Sequence, residues 1–159
     1  MDSKKMKVAL NGMLLGKHSS GVENCILHLA RTLAQHGTLD YVFYVPRDFP
    51  AMTTASAHFQ MRRACVTARF RPLRILWEQC VLPVRLRRDG ADVVHAPGYI
   101  GPLAAAAPVI VTIYDLIALQ FPQWCRVANR LYYGLTLPWS ARKAHRIIVP
   151  SAATRSDLI

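Results

Sequence analysis

Three polar side chains stand where short apolar runs stop. His95 follows Val93-Val94, and Tyr114-Asp115 follow Val109-Ile-Val-Thr-Ile113, both β-branched runs of the kind that form buried strands. An imidazole, a phenol and a carboxylate at neighbouring strand ends are groups that accept, donate and orient protons on a small polar ligand. In an open parallel sheet, ligands sit outside the carboxyl ends of the strands, which is where these residues would fall. From Val93 to Tyr114 no residue carries a fixed charge, a length that raises the question of a membrane span. Pro97, Gly98, Gly101, Pro102 and Pro108 would interrupt such a helix repeatedly, so the stretch reads as strand, loop, strand in a packed core, with Pro97 and Tyr99 in the loop beside His95.

A second candidate precedes it. The loop Gly12-Met-Leu-Leu-Gly-Lys-His-Ser-Ser-Gly21 delivers Ser20-Gly21 to the start of a helix, where unpaired backbone N–H groups and the positive dipole end attract an anion. The loop is neither Gly-x-Gly-x-x-Gly nor a Walker loop, so it reads as an ordinary capped turn or as an anion site, and both readings stand.

The elements that must position these residues alternate. Met6 to Asn11 reads as a strand. A helix follows from about Gly21 to Gln35, with Val22, Ile26, Leu29 and Leu33 on one face, and then a strand over Tyr41–Val45 stopped by Pro46. Residues 46–58 are loop-like, and Phe59–Thr67 is a third strand interrupted by Arg62-Arg63. From Pro72 a helix is expected with Leu73, Leu76, Trp77, Cys80 and Val84 sharing a face, kinked or ended by Pro83 and finishing in Arg85, Arg87 and Arg88. A helix from about Cys125 to Ala144 contains Pro138, Arg146–Val149 is another strand, and Ser151 caps a last helix. Six or so strands alternating with helices predict an α/β fold with a doubly wound parallel sheet, and 159 residues at 52% apolar content suffice for one domain with a full core.

Charge narrows the partners. Twenty Lys and Arg against nine Asp and Glu give a formal charge of +11, which attracts phosphates, nucleic acid or an anionic bilayer. Nucleic acid is disfavoured because the aromatics do not interleave with the basic residues and no helix-turn-helix or RNP-like pattern occurs. The arginines at 62, 63, 69, 71, 74, 85, 87 and 88 form either a solvated face or, around Trp77, a surface resting on anionic lipid. Cys25, Cys65, Cys80 and Cys125 include no Cys-x-x-Cys pair and read as reduced core residues. Lys4, Lys5 and Lys7 precede only Val8-Ala-Leu10, too short for a signal peptide, so a cytoplasmic location is expected.

Five motifs in order carry a resemblance: Ser20-Gly-Val-Glu23; Trp77-Glu-Gln79 with Leu82-Pro83; Asp92-Val-Val-His-Ala-Pro97; Val111-Thr-Ile-Tyr-Asp-Leu116; and Arg146-Ile-Ile-Val-Pro-Ser-Ala-Ala-Thr-Arg-Ser-Asp-Leu158. Each is weak singly. Together they resemble the amino-terminal domain of family-four, GT-B-fold retaining glycosyltransferases of the group 1, mannosyltransferase-like type. The resemblance implies that residues 1–159 form the acceptor-side, Rossmann-like domain, cut before its last strand, with the donor-binding domain absent. It implies a retaining hexosyltransferase in the full-length protein, inactive as this piece, that moves a sugar from a nucleoside diphosphate sugar to a glycan or lipid-linked acceptor in polysaccharide biosynthesis, peripheral to the membrane. No cofactor beyond that donor is implied. No metal is expected, because carboxylates and histidines at ligand spacing are lacking. Where the family has His before the Asp, this chain has Tyr114. The catalytic candidates are therefore Asp115 and Tyr114, and the substrate-binding candidates Ser20, Gly21, His95, Pro97 and Tyr99. For His95 the alternative is a strand-end histidine satisfied by a backbone partner, for Tyr114 an aromatic core plug, and for Asp115 a cap on the next turn. The reading from another class is a stand-alone basic module that binds phosphorylated ligands.

Overall fold

The computed structural model describes residues 5–16, 20–52 and 56–159. Six parallel strands form one sheet: β1 (Lys7–Asn11), β2 (Asp40–Val45), β3 (Phe59–Arg63), β4 (Val93–Ala96), β5 (Val109–Thr112) and β6 (Arg146–Ile148), in the order β3-β2-β1-β4-β5-β6. The chain runs outward from β1 in one direction, then returns to β4 and runs outward in the other. That is the Rossmann-like, doubly wound pattern, and its switch point lies between β1 and β4. The central strands are near-continuous apolar runs because helices cover both faces; Ala9, Val42, Val94 and Val111 belong to one core and Leu10, Tyr41, Phe43 and Val45 to the other.

Helix α1 (Gly21–His36) buries Ile26, Ala30 and Ala34; of the expected face Ile26 is buried, while Val22, Leu29 and Leu33 are half-buried beside it. β3 ends at Arg63, shorter than the expected Phe59–Thr67, since Met61 to Arg63 carry two arginines that stay exposed. The expectation for the segment after Pro72 is corrected in three ways. First, α2 (Arg71–Leu76) and α3 (Leu82–Arg88) join through a π-helical turn over Trp77–Val81, and the helical run passes Pro83 instead of ending there. The Leu82 N–H reaches back five residues to the Trp77 carbonyl, so the wider turn makes room ahead of a residue that has no N–H to give. Second, the inserted residue turns the helix: the buried side is Arg74, Trp77, Leu82 and Leu86, whereas Leu73, Leu76, Cys80 and Val84 face outward. Third, Trp77 is 2% exposed and packs on Tyr44, so it cannot anchor an Arg-rich surface to lipid. The cysteines also differ from expectation. Cys25, Cys65 and Cys80 are exposed and Cys125 is half-buried, so none is a core residue. Lys4 and Lys17 to Ser19, part of the N-terminal and loop readings, lie outside the described residues.

The second half is built from α4 (Ile117–Gln120), a short 3-10 turn at Pro122–Trp124, α5 (Val127–Lys143) and α6 (Ala152–Leu158), the last capped by Ser151 as expected. Among the described residues, no helix is long and apolar enough to cross a membrane.

Candidate functional site

The carboxyl ends of β1 and β4 diverge at the switch point, and a cavity of about 350 Å³ opens there. Its walls come from six places in the chain: Leu14 and Gly16 after β1, Ser20, Val22 and Glu23 at the start of α1, Ala68 and Arg69 before α2, Arg74 on α2, and Tyr99 after β4 facing Tyr133 of α5. The volume suits a small molecule.

The α1 side is fixed by Glu23. Its carboxylate accepts from the backbone N–H of Gly16 at 2.7 Å and of Ser20 at 2.7 Å, while the Ser20 hydroxyl accepts from the Glu23 N–H at 3.3 Å. The capping box of the ordinary turn is thus formed, and it clamps both ends of the loop. Two first-turn donors, the N–H groups of Gly21 and Val22, are left over by helix geometry. A side chain added at Gly21 would meet none of the described residues within 4 Å.

Tyr99 has a positive φ of 68°, a conformation sparsely used by bulky residues and found where a site holds its backbone in place. Its N–H donates to the Thr112 carbonyl at 3.0 Å, and its hydroxyl donates to Asp115 Oδ2 at 2.7 Å. The other Asp115 oxygen accepts from the Ile117 N–H at 3.1 Å, so Asp115 caps the following turn and also aims Tyr99 at the cavity. Burial, followed by the bond to Asp115, pushes the Tyr99 phenol well above its ordinary pKa and keeps it protonated as a donor. Tyr114 lies edge-on to Tyr99 at 5.6 Å, and burial with the nearby Cys25 raises its phenol too. It does not line the cavity; its carbonyl receives the Thr154 hydroxyl at 3.0 Å.

His95 is not among the lining residues either. Its Nε2 lies 2.9 Å from the Thr112 hydroxyl, and burial lowers its pKa below 6.5, so the imidazole is neutral at physiological pH. Pro97 is buried directly after β4 and also stays out of the cavity wall. Of the expected residues, the structure gathers Ser20 and Tyr99 at the cavity, with Gly21 between the lining residues Ser20 and Val22 but not itself in the wall, and with Asp115 and Tyr114 in contact with Tyr99; His95 and Pro97 lie at the end of β4 outside the wall.

Sequence reading missed the floor. Arg74, 9% exposed, pairs with Glu78 four residues on (Nε to Oε2, 3.5 Å), and Glu78 Oε1 accepts from Asn11 Nδ2 at 2.9 Å. Desolvation raises the Glu78 pKa, partly opposed by Arg74 and Asn11. Arg74 Nε has no hydrogen-bond partner in this network, and the side chain lines the cavity. The signal was present as an Arg-Glu pair at i,i+4, hidden among eight arginines that all read alike. Arg71 beside it hydrogen-bonds Asn129 and lies 4.4 Å over the Tyr132 ring, tying α2 to α5. Burial, with Glu78 second, pushes the Tyr132 phenol up to about 12.

A tyrosine at positive φ, a carboxylate behind it and buried and exposed arginines near a helix start lie together at the switch point of a Rossmann-like sheet, the place where open α/β sheets bind ligands. Residues 19–159 match glycosyltransferase family 4, and the chain belongs to that family; its chemistry is glycosyl transfer between a sugar donor and an acceptor. No curated protein matches the chain.

Proposed function

We propose that this domain is the acceptor side of a retaining hexosyltransferase that uses a nucleoside diphosphate sugar, with the main donor contacts in a further domain. The acceptor oxygen forms a bond to the anomeric carbon as the bond to the diphosphate breaks. The electron pair departs with the diphosphate, and the acceptor proton passes to a leaving phosphate oxygen on the same face. The observation that carries the reading is Tyr99, fixed at positive φ and held by Asp115 at the cavity wall. Asp115, with lone pairs remaining on both oxygens, and Tyr99 orient a sugar hydroxyl. The N–H groups of Gly21 and Val22, with Arg69 and Arg74, meet the negative charge that builds on the phosphates. The exposed outer strand β6, with Ile147 and Ile148 uncovered, supports continuation of the sheet by one more strand. The acceptor class, a glycan or lipid-linked sugar serving polysaccharide synthesis, rests on the resemblance described above.

The test is turnover of the full-length protein with a panel of nucleoside diphosphate sugars. Asp115→Asn, which keeps one accepting oxygen of the two, is expected to lower it by roughly a hundredfold, the range of a lost positioned acid-base group, with a stability loss of about 1 kcal/mol from the bond given up to Tyr99 or Ile117. Tyr114→Phe separates a hydroxyl that has taken over from the family's histidine, whose loss cuts turnover, from a packing ring, whose loss does not. Phosphorylated ligands bound without any sugar transfer would favour the stand-alone binding module instead. Micromolar binding of a nucleoside diphosphate sugar to residues 1–159 alone, read by calorimetry, would overturn the division of labour.

A further inference from the structure

Helix α5 keeps most of its large apolar residues outside. It buries Leu137 and Ser140, whereas Val127, Leu131, Leu135 and Trp139, with Trp124 just before it, are 60–73% exposed. Steps of four residues at about 100° each place these side chains within a sector of roughly 120°, a stripe on the order of 18 Å long. Tyr133, which lines the cavity, projects from the opposite side of the same helix. Phe121 stacks on Trp124 at 4.6 Å and widens the stripe at one end. Alongside runs an apolar groove of about 510 Å³ between α5 and α2, where Ala128 and Tyr132 face Pro72, Ile75 and Leu76. A contiguous uncovered surface of this kind marks an interaction site.

The charges around it are of one sign. Between Asp115 and Asp157 there is no acidic residue, while Arg126, Arg130, Arg142, Lys143, Arg146 and Arg155 are all exposed. Arg142 follows Trp139 at the end of the stripe, and Arg126 and Arg130 flank its beginning. Protein surfaces mix both signs at their rims; a stripe with tryptophan at each end, aliphatic residues between and only cations around it complements an anionic bilayer. Tryptophan rings settle at headgroup level, and Arg and Lys reach the lipid phosphates.

We infer that α5 is the membrane-docking element of this protein and lies in the interfacial plane of an anionic leaflet. The stripe faces the acyl chains, and the cavity stands about one helix diameter, roughly 10 Å, from the headgroups.

Co-sedimentation of the protein with phosphatidylglycerol–phosphatidylcholine vesicles, against phosphatidylcholine alone, tests this. Binding to the anionic vesicles is expected to weaken with salt and to fall roughly tenfold or more in Arg142→Glu/Lys143→Glu. Leu131→Glu/Leu135→Glu, at exposed positions that leave the melting curve in place, is expected to abolish it. Brominated lipid should quench the tryptophan emission, and Trp124→Phe/Trp139→Phe, which retains the buried Trp77, should lose that quenching. Absence of binding to anionic vesicles, undiminished binding by the Leu131→Glu/Leu135→Glu variant, or quenching that persists with Trp77 alone would overturn the inference. So would a concentration-dependent dimer that the same double variant dissolves while vesicles are ignored, which would give the stripe to a second copy.

Discussion

Helices α1 and α5 are nearly equal in length, 16 and 17 residues, and both reach the cavity, yet they face the protein in opposite senses. α1 turns Ile26, Ala30 and Ala34 to the sheet and is closed at its start by the Ser20–Glu23 capping box. α5 turns Leu137 inward together with small or polar groups. Ser140 accepts from the Gly101 N–H at 3.0 Å, and Ala141, with Ala144 just past the helix end, sits against the core, while most of its bulky apolar residues stay outside. Its start, at Arg126, has no side-chain cap. The difference shows that helical amphipathicity identifies two faces but not which one the core takes. Close approach to the strands selects small side chains, and whatever is too large for that gap is left for another surface.

The contrast can be tested by substitution. The largest effect belongs to the residue between the two helices: Arg74→Met leaves the Glu78 carboxyl buried beside Asn11 without its cation, and is expected to cost about 3–5 kcal/mol in urea unfolding. Adding Glu78→Gln should restore much of that loss, and failure to do so would mean that Arg74 stabilises by packing. Next, Ile26→Ala on α1 should destabilise by about 2–5 kcal/mol through its cavity. Ser20→Ala should cost about 1 kcal/mol as a lost N-cap, whereas Arg126→Ala, at the equivalent place on α5, should leave the unfolding midpoint unmoved. The smallest change is expected for Leu135→Ala, within about 0.5 kcal/mol despite the residue's size, because it is exposed. A loss at Leu135 as large as that at Ile26 would show that the stripe is covered within the folded chain and would remove the contrast.

By itself the sequence determined the order of strands and helices and their pairing into a parallel sheet. β-branched runs of strand length separated by 3.6-periodic segments leave few other arrangements. It also determined the strand-end position of His95, Tyr114 and Asp115 and the helix start at Ser20-Gly21, because these follow from local spacing. Which of these groups reach the cavity was decided in three dimensions. His95 is drawn to Thr112 by the register of β4 against β5, and Tyr99 is turned toward Asp115 by a positive φ that no local pattern announces. The π turn at Trp77–Val81 is the clearest case. One inserted residue moves Leu82 and Leu86 onto the buried side of Arg74 and Trp77 and carries Cys80 and Val84 outward, so a face read at 3.6-residue spacing beyond Trp77 is rotated away from the face the core uses. The buried Arg74–Glu78–Asn11 cluster joins two segments 67 positions apart, Asn11 and Glu78, and only the packing of α2 over the end of β1 could bring it together.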